Sequence, residues 1–148
     1  MHTYLNMDQT IYSIEAGMEY KYKPLEIKGT AKTPKIVYSP DDNRLEIQGK
    51  SIPENHAAFY SPVFEWLEEF SENPPEFTKV DVYLEYFNTS SSKVLLKIFK
   101  TLEDILQKNK NIEVNWYYEE DDLDMKECGQ DYGSMLNIPF TMIEVEGE

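Results

Sequence analysis

The chain has 148 residues, enough for one domain with a substantial core, since a domain of this size buries roughly 70% of its unfolded surface. A hydrophobic fraction of 41% and an aromatic fraction of 14% exclude general disorder, and no run of ~18 apolar residues exists to span a membrane. Fourteen basic against 28 acidic residues give a net charge of −14, which repels phosphate backbones and anionic lipid and so excludes nucleic acid and membrane as partners. The acidic excess lies wholly in residues 35–148, where it would steer in a protein partner with a basic surface. Met1-His2-Thr3-Tyr4 lacks a basic segment followed by an apolar run, so no secretory leader is expected, and Cys128 is alone. Both fit a cytoplasmic protein.

Residues 1–24 read as an N-terminal extension with some period-2 alternation (Ile11, Ile14, Tyr20, Tyr22), open between a hairpin, an added edge strand and a flexible arm. The compact domain is expected over 25–148. Lys35–Ser39 and Arg44–Gly49 read as strands joined by the turn Pro40-Asp41-Asp42-Asn43. Ser51–His56 is a loop, with Asn55 as the cap of a helix whose apolar face is Phe59, Val63, Trp66, Leu67 and Phe70. Asn73-Pro74-Pro75 stops that helix. Lys79–Phe87 alternates as a strand, with Val80, Val82, Leu84 and Tyr86 on one side.

The second helix has the clearest pattern: Val94, Leu95, Ile98, Phe99, Leu102, Ile105 and Leu106 inward, Lys93, Lys97 and Lys100 outward. Ile112–Tyr118 is a strand. A third helix carries Met125, Cys128, Tyr132, Met135 and Leu136, and Phe140–Val145 is the last strand. The unit from 79 to 118 has the size of a βαβ crossover, which demands parallel strands. The order β-β-α-β-α-β-α-β predicts an α/β domain with a sheet of about five strands and three helices.

The informative chemistry lies at Asn88-Thr89-Ser90-Ser91-Ser92-Lys93, where a strand runs straight into the second helix. A helix N-terminus carries unpaired N–H groups and partial positive charge, so it tolerates an anion. Hydroxyls there serve as caps, as nucleophiles or as phosphoryl acceptors. One cap is enough for a helix, and this cluster offers several. Phosphorylation of Thr89 would add about −1.5 to −2 charges, within reach of Lys93, leaving the fold intact while changing what can dock. Ser90-Ser91-Ser92-Lys93 also matches the Ser-x-x-Lys string of penicillin-binding enzymes, without its companion strings, so a small serine hydrolase using Ser90 and Lys93 is the alternative from another class. Glu119-Glu120-Asp121-Asp122-Leu123-Asp124 lacks the ligand alternation of a calcium loop and reads as carboxylates favoured at a helix start. Trp116-Tyr117-Tyr118 reads as core and rim packing. No metal, cofactor or catalytic residue is expected.

Thr33-Pro34-Lys35-Ile36, Ser51-Ile52-Pro53-Glu54-Asn55, Leu84–Lys93 and Asn115–Asp122 together resemble the SiaC family of regulatory phosphoproteins, in order and from about Leu25 to Val145. The resemblance implies a fold similar to the STAS domains of anti-sigma-factor antagonists, a mixed sheet backed by helices. It implies that Thr89 is phosphorylated by a protein kinase, that a PP2C-type phosphatase reverses this, and that the unmodified form binds an effector such as a diguanylate cyclase. Asn88, Ser90, Ser91, Lys93, Lys97, Glu54 and Asn55 are then the expected partner contacts. A STAS-like antagonist that captures an anti-sigma kinase is the alternative within the same class.

Overall fold

The computed structural model describes residues 22–147, together with the backbone of two short strands, β1 (Ser13–Glu15) and β2 (Met18–Tyr20). These two pair antiparallel, with Ser13 opposite Tyr20. The side-chain alternation expected of Ile11, Ile14 and Tyr20 lies outside the described residues. The main sheet has six strands in chain order: β3 (Leu25–Ile27), β4 (Lys35–Ser39), β5 (Arg44–Ser51), β6 (Phe77–Phe87), β7 (Asn111–Glu119) and β8 (Phe140–Val145). Helices α1 (His56–Glu72), α2 (Thr89–Leu106) and α3 (Leu123–Met135) alternate with the last four strands.

β3, β4 and β5 pair antiparallel, and β5 to β8 pair parallel. The expected βαβ unit is therefore present, and the sheet is mixed. The main sheet has one strand more than the sequence patterns indicate. β3 has only three residues, too few to carry a period, and is held by register with Ile36–Tyr38.

Alternate residues of every central strand feed one core, and all three helices pack on that side. Ile36, Tyr38, Leu45, Ile47, Val80, Val82, Val114 and Trp116 are buried with Tyr60, Val63, Leu67, Leu95, Ile98, Phe99 and Leu102. The other face carries Glu46, Asp81, Asn115 and Tyr117, none fully buried, so among the described residues the architecture is a sheet with one helical layer. Among the described residues, no helix is long and apolar enough to cross a membrane.

Two expectations fail for local reasons. Tyr86 does not continue the buried side of β6; it is 55% exposed. Gly49 pairs with Leu84 but Lys50 pairs with Tyr86, so Glu85 is an extra residue that reverses the alternation. Phe87 turns inward instead, edge-on to Trp116. The same irregularity lets β5 run on to Ser51 rather than stop at Gly49, whose φ of 118° suits a residue without Cβ. Of the residues read on the third helix, Met135 is its exposed last residue, and Leu136 lies just past it as the C-cap and is buried.

Burial pushes the phenols of Tyr38, Tyr60 and Tyr132 above their usual value. A raised folded-state pKa favours the neutral form, so this stability is intact below about pH 10, where free tyrosine ionises, and declines above it. The urea midpoint should hold steady from pH 7 to 9.5 and fall between pH 10 and 11.5. A flat profile through pH 11.5 would contradict the burial of these hydroxyls.

Candidate functional site

The strand-to-helix junction after β6 is built on backbone and hydroxyl bonds. Asn88 leaves β6 extended, its N–H donates to the Ser51 carbonyl (3.1 Å), and its side chain accepts from the Ser91 N–H (2.9 Å). Of the several possible caps, Asn88 is the one used. Thr89 and Ser90 are then the first two residues of α2, and no acidic residue occupies that turn.

The hydroxyls of the cluster divide sharply. Ser91 is 0% exposed and donates to the Ser51 carbonyl (2.9 Å) while its oxygen lies 2.7 Å from Ser51 Oγ. Ser51 Oγ is also 2.7 Å from the Tyr60 hydroxyl. One proton per hydroxyl sets the order: Ser91 donates to the carbonyl, Ser51 to Ser91, and Tyr60 to Ser51. This buried relay ties α1, the end of β5 and the first turn of α2 together. Ser92 turns its hydroxyl back to the Thr89 carbonyl (2.8 Å), and the Tyr132 hydroxyl donates to the Ser92 carbonyl (2.8 Å), adding a tie from α3. Thr89 is exposed and Ser90 half-buried, and neither hydroxyl has a hydrogen-bond partner among the described residues.

The remaining candidates flank this turn. Asn55 caps α1 through the Ala58 N–H (3.0 Å), and Glu54 beside it is exposed. Ser90, Lys93 and Lys97 share a cleft between α1 and α2 with His56 and Ala57, which brings the N-terminal ends of both helices together. Ser91, expected at the partner surface, faces the interior because position three of the helix points at β5. Neither Lys93 nor His56 hydrogen-bonds the Ser90 hydroxyl. In the acidic run, Asp122 caps α3 through the Met125 N–H (3.0 Å).

Ser51 and Tyr60 were not singled out from the sequence as members of this site. Ser51 and Ser91 lie 40 positions apart, and no spacing rule joins a strand end to a helix start. Replacing Ser91 by Ala should cost about 1–2 kcal/mol, read as a lower urea midpoint at unchanged slope. Because the side chain is buried, partner capture should be unchanged. Loss of capture in a fully folded S91A protein would contradict the internal role.

Comparison with known proteins decides the lineage. The model of the family described as SiaC family regulatory phosphoprotein matches residues 27–145. The chain belongs to the SiaC family. An uncharacterised protein of Pseudomonas aeruginosa strain UCBPP-PA14 is 30% identical over 118 residues, covering 80% of this chain and 94% of that one. Apo-SiaC from Pseudomonas aeruginosa has a similar structure, with a TM-score of 0.74 at 30% identity over 82% of this chain and 98% of its own. SiaC bound as activator to the diguanylate cyclase SiaD of that organism matches with a TM-score of 0.77 at 30% identity, over 82% of this chain and 99% of the matched chain. Membership of the SiaC family makes the protein regulatory, and the mixed sheet with three helices is the fold of those SiaC structures.

Proposed function

We infer that the protein is a non-enzymatic partner switch controlled by reversible phosphorylation of Thr89. The observation that supports this best is the contrast within one helical turn: the side chains of Asn88, Ser91 and Ser92 are engaged, and the Thr89 hydroxyl is exposed and has no hydrogen-bond partner among the described residues. A kinase can reach such a group without unfolding anything. A phosphoryl group there meets the positive end of α2, an interaction worth about 0.3–2 kcal/mol, so modification leaves the scaffold standing.

The unmodified form binds an effector around the Thr89 hydroxyl, through Ser90, Lys93 and Lys97, flanked by Glu54, Asn55 and Asn88. By likeness to the cyclase-bound SiaC, a diguanylate cyclase is the effector class. A protein kinase writes the mark and a PP2C-type phosphatase removes it. Phosphopeptide mapping of the protein from its native host should place phosphate on Thr89. Phosphate found only at other residues would reject the assignment.

A further inference from the structure

The main sheet has two edges, and they are protected differently. β3 closes one with only three residues, which leaves little for another strand to pair with. β8 closes the other with six, Phe140–Val145, and its register with β7 runs from Val114 opposite Phe140 to Glu119 opposite Val145 without a bulge. It contains no lysine or proline, the residues that commonly blunt such an edge.

The direction of its free backbone groups follows from the bonds to β7. The Val114 N–H donates to the Pro139 carbonyl (2.9 Å) and the Glu120 N–H to the Val145 carbonyl (3.0 Å). Odd-numbered residues of β8 therefore face β7, and Phe140, Met142 and Glu144 turn their N–H and C=O groups away from the sheet. None of these groups has a hydrogen-bond partner among the described residues. They are a template for one more strand. Thr141, Ile143 and Val145 share the uncovered face with Tyr117, a β-branched row of the kind that packs against cross-strand neighbours.

Charge selects the occupant. Residues 119–148 hold ten acidic side chains and one lysine, a net −9 of the chain's −14. Glu144 and Glu146 lie at the C-terminal end of this edge, and Glu119 stands one strand in, opposite Val145. A second copy of this chain would bring two such segments together against like charge.

We propose that β8 accepts an extended, basic segment of a partner protein as a seventh strand, its apolar end beside Phe140 and its lysines or arginines beside Glu144, Glu146 and Glu119. Backbone bonds supply the attachment, the β-branched row packs the segment's apolar side chains, and the carboxylates fix which end lies where. This edge lies two strands from β6, the strand that leads into Thr89, and its use does not depend on the switch.

The test starts with the full chain in its native host, a benzophenone amino acid replacing the exposed Thr141. After irradiation, mass spectrometry identifies the cross-linked segment, which should alternate apolar and polar residues and carry a basic end. That segment, synthesised as a peptide, is then titrated into the isotope-labelled full chain. With peptide bound, hydrogen exchange at the amides of Phe140, Met142 and Glu144 should slow at least about tenfold. Glu144→Pro removes an outward donor without touching the ladder to β7. It should bind the peptide about tenfold more weakly than Glu144→Gln, which removes only the charge. No capture from position 141, capture of residues of this same chain, a captured segment without a basic end, or binding that leaves those three amides unprotected would overturn the proposal. So would equal affinity of the proline and glutamine variants, whose amide spectra report whether the sheet is intact.

Discussion

Thr89→Asp should weaken effector capture roughly 10- to 100-fold, while Thr89→Ala should leave it unchanged, because one places an uncompensated charge in the docking surface and the other does not. Stability should move the other way. An aspartate in the first turn of α2 faces the positive end of the helix and should raise stability by up to about 1 kcal/mol. A binding loss with a stability gain separates a docking effect from damage to the fold, since a damaged protein loses both. Pull-down against the purified effector, read beside a urea titration of each variant, gives both numbers. Equal capture of the Ala and Asp variants would remove Thr89 from its proposed role. The buried relay through Ser91, Ser51 and Tyr60 explains why the scaffold should tolerate the new charge: the turn is held from below.

The second large effect is expected at Trp116, in the core. Its side chain is 0% exposed, its indole N–H donates to the Met125 carbonyl (3.0 Å), and Phe87, Phe99, Tyr132 and Phe140 surround its ring. Trp116→Ala should cost about 3–5 kcal/mol, a large share of the ~5–15 kcal/mol that holds a typical domain together. Gly129 is the other half of this contact. A Cβ there would stand 2.4 Å from Trp116 Cδ1 and 2.8 Å from Met142 Cε, so Gly129→Ala should cost about 1–3 kcal/mol by overpacking. With the indole removed, the same methyl has room, and the double variant should be less damaged than the two costs combined. Denaturant unfolding of all four proteins tests this. A Gly129→Ala variant as stable as the parent would show that α3 does not sit flush on Trp116.

Long, periodic segments were legible because periodicity is a local property. The stripe on α2, the apolar face of α1, the parallel pairing of β6 and β7 and the turn at Pro40–Asn43 all follow from residues near one another in the chain. So does the hydroxyl-rich junction, whose residue types suit a helix start wherever that start is placed. The misreadings sit where one residue alters phase or where a segment is too short to have one. Glu85 reverses the alternation for Tyr86, and β3 exists through its pairing with β4 alone.

From its own residues, the sequence determined an α/β domain of acidic surface with a cluster of capping and acceptor hydroxyls opening its second helix. The order of motifs along the chain determined the family. Only the tertiary structure decided which hydroxyl does what. Ser91 is drawn inward because the end of β5 supplies an acceptor there, and Thr89 is left exposed because no described residue covers it. The cleft was equally invisible in one dimension, since its two rims come from helices separated by a strand. Partners distant in sequence meet only once the sheet has set the helices side by side.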